Sequence, residues 1–334
     1  MSITAKELAE KLGLSTAAVS MALNNKRGVS AATRQKVFEA AEKYGYDFTK
    51  IKDKRTPSRS VFLIYYRKHG AIVNENPYFT DLAVSIQKHC TKLNLKLNIR
   101  YLYEGPDLVW QIEDILYSDC AGILLLGSEM SVNDFAPFQD LHIPLILLDV
   151  FLESINRDCI LINNVQGAFI ATDYLIRKFK TQPGYLRSSY MINNFEERAD
   201  GFYKAIRRHG YSASKSVVHR LSPSVEGASA DMLELLRRGE IPARCYFADN
   251  DLIAFGAMRA FRQSGYKIPE DIAIVGFDNI DSCNYSSPTL TTINVPKDYI
   301  GETAVARLAN LLTAETFVPI RLQVQTNLVI RQST

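Results

Sequence analysis

Residues 14–25 read LSTAAVSMALNN, a run with three alanines, two serines and no charge before Lys26. Val19, Ala22 and Leu23 recur at i, i+3 and i+4, so the run predicts a short amphipathic helix with that stripe turned inward. Ser15 is a good N-cap for it. Thr16, Ser20 and Asn24 follow one another along another face, with Ala17 and Met21 beside them. A helix facing water ordinarily carries Lys and Glu there. This face is slim, uncharged and hydroxyl-bearing. Those are the properties a helix needs to enter a DNA major groove: short side chains near the base edges and hydrogen-bond donors for phosphates.

The flanking residues fit the same picture. Thr4 with Glu7 forms a capping-box pattern, and Leu8 and Leu12 share one face. Gly13 can take the left-handed conformation that ends a helix. Two helices joined by so tight a turn match a helix-turn-helix. Ser30 is a cap for a third helix with Thr33 in its first turn. Val37, Ala41 and Tyr44 are its expected inner stripe, and Gly45 its end.

Charge separates this head from the remainder. Residues 1–60 hold 12 Lys/Arg against 6 Asp/Glu, whereas the rest hold 27 against 30. A basic segment on a mildly acidic body suggests a polyanion-binding head. The 334 residues are 47% hydrophobic and 22% charged, enough for a sizeable core in two or three domains. The five cysteines form no C-x-x-C pair and lie in no ligand spacing with His, so reduced thiols and a cytoplasmic location are expected. Met1 leads straight into SITAKELAE, without the pattern of a signal peptide, and no apolar run approaches membrane length.

After about residue 60, short apolar runs alternate with amphipathic stretches. VFLIYY (61–66), LKLNI (95–99), GILLL (122–126), LILLD (145–149), CILI (159–162), YFA (246–248) and IAIVGF (272–277) read as strands; 79–93, 165–179, 251–265 and 297–313 read as helices. That alternation predicts parallel sheets covered on both faces, and about 275 residues suggest two lobes. Ligands of such sheets bind beyond the carboxyl ends of the strands. Asp149, Ser128, Asn250 and Asp278 all follow apolar runs and can converge there. Asp149 and Asn250 could instead cap the helices that follow. No phosphate-binding glycine loop, H-E-x-x-H pair or G-x-S-x-G elbow is present. No catalytic residue, metal or cofactor is expected. Trp110, on an amphipathic pattern with Glu113 and Asp114, is expected to pack rather than stack on a ligand.

The stretch from Ile3 to Tyr46, with Val-Ser inside the second helix, Asn at its end, then Val-Ser-x-x-Thr-Arg and a closing Gly-Tyr, resembles the DNA-binding head of the lactose-repressor (LacI/GalR) family. The resemblance implies base contacts from Thr16, Ala17 and Met21. It implies phosphate contacts from Ser15, Ser20, Asn24, Ser30 and Thr33. Ala17 and Met21 depart from the family's longer polar side chains, so thymine-methyl contact replaces guanine readout; they could also simply cover the head's own core. The family's hinge helix wedges a Leu into the minor groove. In DFTKIKDKRTPSRS (47–60) only Ile51 could do so; the basic residues could instead contact phosphates, or the linker could be merely solvated.

The body also resembles the family along nearly its whole length. Asn76-Pro77-Tyr78-Phe79, Ala248-Asp249-Asn250-Asp251, IPEDIAIVGFDN (268–279) and SPTLTTINVPKDYIGETA (287–304) carry the likeness. It implies a head over 1–48, a basic linker over 49–60, and an effector-binding and dimerisation domain over 61–334. That domain would be two doubly wound lobes of the periplasmic-binding-protein type. Lobe 1 spans about 61–162 and 295–324, and lobe 2 about 163–294 and 325–334. The last strand, LQVQTNLVI, is expected to straddle both. Arg198, Tyr78 and Phe79 then join Ser128, Asp149, Asn250 and Asp278 as effector contacts. Tyr78 and Phe79 could instead be helix core, and Arg198 a surface ion pair. Carboxylates, guanidinium and aromatic rings together suit a sugar. Ile192 stands where purine-binding relatives place a ligand arginine, which disfavours a purine. The stretch 66–76 is longer than the family's usual loop and is expected to add effector or lid contacts.

The expectation is therefore a DNA-binding transcriptional regulator, most simply a repressor, pairing as a homodimer on a pseudo-palindromic double-stranded operator and responding to a sugar. The absence of a heptad pattern near Thr334 favours a dimer over a zipper-made tetramer. The alternatives are a solute-binding protein without a DNA role, control by a nucleoside or purine, and control by a protein co-repressor.

Overall fold

The computed structural model describes residues 3–23, 28–47, 59–74, 76–116, 118–139, 141–314 and 316–334. The chain divides into two compact units, 1–60 with 109–121 and 61–108 with 122–334. In the first unit α1 (Ala5–Leu12), α2 (Thr16–Leu23) and α3 (Ala31–Lys43) enclose a small core of Leu8, Ala9, Val19, Ala22, Leu23, Val37, Ala40 and Ala41. Thr4 and Glu7 form the capping box, and Gly13 sits at φ 64. The Ser15 hydroxyl accepts the Ala18 amide at 3.0 Å and that of Ser30 accepts the Thr33 amide at 3.1 Å. Arg34, although charged, is buried because its guanidinium donates to the Ala22 carbonyl at the end of α2 (3.2 Å). Tyr44 departs from its expected inward place: it is 40% exposed, with the Lys11 ammonium 4.7 Å from its ring centre. Its position beyond the last turn of α3 turns it off the helix stripe.

Residues 109–121, which hold all of α5 (Leu108–Leu116) but its first residue, group with that unit. Leu108, Ile112 and Ile115 form its buried stripe, so Trp110, two residues from either of the first two, points outward and is 68% exposed, against expectation.

The second unit holds two sheets of six strands. One has the order β11-β5-β4-β3-β1-β2, the other β12-β10-β9-β8-β6-β7. The first contains β1 (Ser60–Arg67), β2 (Lys96–Tyr103), β3 (Gly122–Leu126), β4 (Leu145–Leu148), β5 (Asp158–Ile162) and β11 (Arg321–Val324). The second contains β6 (Gly184–Ser188), β7 (Val218–Leu221), β8 (Cys245–Ala248), β9 (Ala273–Asp278), β10 (Thr291–Asn294) and β12 (Asn327–Val329). Strands β3, β4, β8 and β9 are buried end to end, as expected of strands covered on both faces. The chain passes between the sheets after β5, after β10 and after β11. The expected single terminal strand is two. β11 runs parallel to β5 and β12 antiparallel to β10; between them the Thr326 amide donates to Gln166 Oε1 (2.9 Å) rather than to a strand.

The helices α4 (Pro77–Lys92) and α10 (Lys297–Leu311) pack together, as do α6 (Asn164–Phe179) with α7 (Asn193–Arg208) and α8 (Val225–Arg237) with α9 (Asp251–Gln263). At Gly201 the α6–α7 approach is so close that a Cβ would lie 2.3 Å from the Val165 carbonyl oxygen. One turn earlier on α7 is Arg198, which that approach brings against the start of α6. Among the described residues no helix is long and apolar enough to cross a membrane.

Candidate functional site

Asp149, just past β4, and Asp278, the last residue of β9, line the same cavity. Both have positive φ, 62° and 110°, a conformation uncommon for residues with a Cβ. Together with Asn76, Tyr78, Phe79, Asn194, Arg198, Ile72, Ile162, Ile192 and Phe195 they line a cavity between the lobes. Its volume is about 10 Å³, room for about one water molecule.

Arg198 organises the charged floor. It is 4% exposed. Its Nε donates to Asn164 Oδ1 (2.9 Å), one terminal nitrogen to the Asp249 carbonyl, and the other to Asp278 Oδ1 (3.4 Å). The guanidinium lies 3.8 Å from the centre of the Phe277 ring, a cation–π contact of the desolvated kind. The second oxygen of Asp278 accepts the Asn76 side-chain amide at 2.8 Å. Burial pushes the Asp278 carboxyl up, against Arg198 and Asn76, which favour its charge. Asp149 accepts the Ser128 hydroxyl on one oxygen; the other is buried without a well-formed hydrogen bond, with the Asn194 side chain near enough to favour its charge. Burial pushes its carboxyl up to about 6, opposed by Ser128 and Arg198.

Behind this floor Asp249 accepts the Tyr185 hydroxyl and the Ser188 amide (2.7 Å), and burial pushes it up to about 6. Asp251 is pushed up to about 7 by burial and by Asp278. It holds the Thr292 hydroxyl, the Ile280 amide at 3.0 Å and the Cys283 thiol. Gly276 is needed there, since a Cβ would lie 2.2 Å from Asp251 Oδ1.

Ile72 and Asn76, from the stretch that follows β1, stand on one wall. Glu129, buried after β3, accepts the amides of Lys68, His69 and Gly70 on one oxygen (3.0, 3.2 and 2.8 Å) and those of Ile72 and Val73 on the other (3.0 and 3.3 Å). Burial pushes its carboxyl up, but the Gly70 and Ile72 amides, with His69 and the Lys68 amide, hold it below the usual carboxylate range. So wrapped, the loop places Ile72 on the cavity and the His69 ring 4.8 Å from that of Tyr190 in the other lobe.

Of the effector residues expected from sequence, Tyr78, Phe79, Asp149, Arg198 and Asp278 line the cavity, and Ser128 reaches it through Asp149. Asn250 does not line it. Its extended backbone turns the side chain onto the first turn of α9, where it caps Ile253 (2.9 Å). The surface ion pair considered for Arg198 gives way to a buried one. Asn76, Asn164 and Asn194 went unassigned. Two of them sit in Asn-Asn pairs at the starts of α6 and α7, and the rule that singles out Asp149, a polar residue just past an apolar strand, points to Asn163, one residue short of Asn164.

On the head, Ser15, Thr16, Ala17 and Ser20 are exposed on α2, while Met21 is half-buried with its sulfur over Gly28, where a Cβ would meet it at 3.0 Å. Ser30 is exposed, and its hydroxyl is 2.8 Å from that of Thr33. Asn24 and Ile51 lie outside the described residues. Among the described residues no cluster of His, Cys, Asp or Glu could hold a metal ion.

A three-helix head of helix-turn-helix form on a two-lobed body with a charged interlobe cavity defines a DNA-binding transcriptional regulator with an effector-binding domain. Residues 4–47 match the model for bacterial regulatory proteins of the lacI family, and residues 172–334 that for a periplasmic binding protein-like domain. Residues 4–47 thus form a lacI-family head. The HTH-type transcriptional repressor PurR of Actinobacillus pleuropneumoniae serotype 3 (strain JL03) is 27% identical over 335 residues, covering 99% of this chain and 98% of that one. The transcriptional regulator CelR–cellobiose complex superposes with a TM-score of 0.73 at 23% identity, covering 99% and 100%. A lac repressor dimer bound to operator and the anti-inducer ONPF does so at 0.70 and 21%, covering 100% and 99%.

Proposed function

We propose that this regulator binds a sugar between its lobes and that the bound sugar changes its operator affinity. The observation that carries the proposal is the buried Asp149 oxygen without a donor, facing a cavity with Asp278, Arg198, Asn194, Tyr78 and Phe79. A sugar hydroxyl supplies such a donor, carboxylate and guanidinium together grip vicinal hydroxyls, and the aromatic and Ile side chains cover an apolar ring face. The cellobiose complex of a structural relative supports the ligand class. Ile192 on the wall disfavours a purine, which would need a polar partner there.

The chain acts as a homodimer on a pseudo-palindrome, since one head covers too little DNA for tight binding. The operator-bound dimer of the lac repressor supports this. Thr16 and Ala17 meet base edges; Ser15, Ser20, Ser30 and Thr33 hold phosphates; Met21, half-buried, makes a smaller contribution. The protein works in the cytoplasm, where its operator lies, and turns over no substrate.

A thermal-shift screen of sugars and nucleosides tests this. A sugar at about 100 times its Kd stabilises by about 2.7 kcal/mol and raises the midpoint by several degrees. Asp278→Ala erases that shift and leaves the head folded. A shift from nucleosides alone would replace the sugar reading, and no shift with retained operator binding would point to a protein co-repressor.

A further inference from the structure

The cavity is closed by the protein's own side chains. Asn76 stands at the start of α4, in the lobe opposite Asp278. It uses both ends of its amide: Oδ1 caps the Tyr78 amide at 3.0 Å, and Nδ2 reaches across the cleft to Asp278 Oδ2 at 2.8 Å. With Arg198 at the other oxygen, both oxygens of Asp278 already have donors, in a cavity of about 10 Å³. Other contacts span the lobes nearby. Asn193 donates to the Phe151 carbonyl (3.3 Å), Arg321 lies 3.9 Å from Glu197, the Lys297 ammonium reaches the Asn279 carbonyl (3.0 Å), and His69 meets Tyr190.

We infer that Asn76 is an internal competitor for the effector: its amide occupies the Asp278 carboxylate and latches the lobes shut before any ligand arrives. The consequence is a specificity filter. A ligand gains Asp278 only by replacing a neutral amide donor already at full hydrogen-bond distance in a desolvated site. Molecules that offer Asp278 a single weak donor are excluded, and those that also satisfy the open oxygen of Asp149 are favoured. The equilibrium between shut and open lobes is then set by the chain itself, and a ligand shifts it only by its difference in affinity for the two. The inference rests on reading the cleft as the effector site, but its test needs no effector, so it can fail or stand independently of the sugar.

Asn76→Ser keeps an N-cap of equal quality but is too short to span the cleft. Asn76→Asp keeps the cap and sets a carboxylate against Asp278. The full chain is spin-labelled at Glu153→Cys and Met191→Cys, which flank the Asn193–Phe151 contact, in a Cys120→Ser background; the other four cysteines are buried. Without ligand, the parent should show one short interspin distance. Both Asn76 variants should lose most of that population to a longer one, Asp more completely than Ser, with the circular dichroism of a folded chain. If both variants keep the parent's distance distribution, Asn76 is only a helix cap and the inference is overturned. A parent already dominated by the longer distance overturns it too.

Discussion

Asp149 and Asp278 hold equivalent places in the two lobes and are served differently. Each follows an apolar parallel strand, each has positive φ, and each is buried. Asp278 has Arg198 on one oxygen and Asn76 on the other, whereas Asp149 has Ser128 on one and, on the other, no well-formed hydrogen bond. A buried oxygen left without a donor costs about 1–3 kcal/mol. One lobe therefore balances its carboxylate within the protein, and the other keeps a carboxylate oxygen for a donor from outside. Glu129 marks the far end of this series. Five backbone amides serve it, and its carboxyl alone of the three is held below the usual range.

The sharpest way to break the contrast is Arg198→Ala. It leaves Asp278 buried beside a neutral amide, and a loss of about 3–5 kcal/mol is expected, read as a fall in denaturant midpoint. Adding Asp278→Asn should recover part of that loss; an unchanged midpoint in the single variant would mean Arg198 does not hold Asp278. Next comes Glu129→Ala, which strands five amides that water can only partly reach. A loss on the order of 2–3 kcal/mol is expected, with hydrogen exchange of residues 68–73 accelerated and that of β3 unchanged.

Asp149→Asn should act in the opposite direction. Burial raises the Asp149 carboxyl from 3.8 to about 6. Between those values the folded chain holds a proton that the unfolded chain has released, so stability is lost as pH rises through that window. Asparagine removes the share due to Asp149. At pH 7.5 the variant should melt a few degrees higher, a gain of roughly 3 kcal/mol at most, and the gap should close towards pH 4. It should also bind the effector more weakly, and a gap independent of pH would show that desolvation of Asp149 is not its source. The smallest effect is expected at Lys180, which ends α6 at φ 52. Lys180→Gly should stabilise by about 0.5–1 kcal/mol without touching the cleft, and a loss there would show that the Lys180 side chain contributes more than its backbone costs.

Periodicity made the head and the buried strands legible, because each depends on neighbours three, four or two residues away. Strands β6, β7 and β10 carry no such signal. GYLRS and VHRL mix polar residues into their runs, and TTIN is mostly polar, yet in the fold Thr291 and Thr292 are buried with partners that the sequence does not announce. Asp149, Asp278 and Arg198 were legible as strand ends and by resemblance. Asn76 was not, since its cap role is local but its Asp278 contact spans 202 positions.

Sequence alone determined the groove-fitting helix, the two-lobed parallel architecture and the carboxylates at two strand ends. These follow from side-chain spacing and from the direction in which a strand delivers its last residue. Tertiary structure decided which polar groups are answered: that Asn250 caps a helix, that Asn76 answers Asp278 across the cleft, and that one oxygen of Asp149 is left without a well-formed hydrogen bond. Hydrogen bonds act only over about 3 Å, and which groups come that close is set by how the two lobes pack.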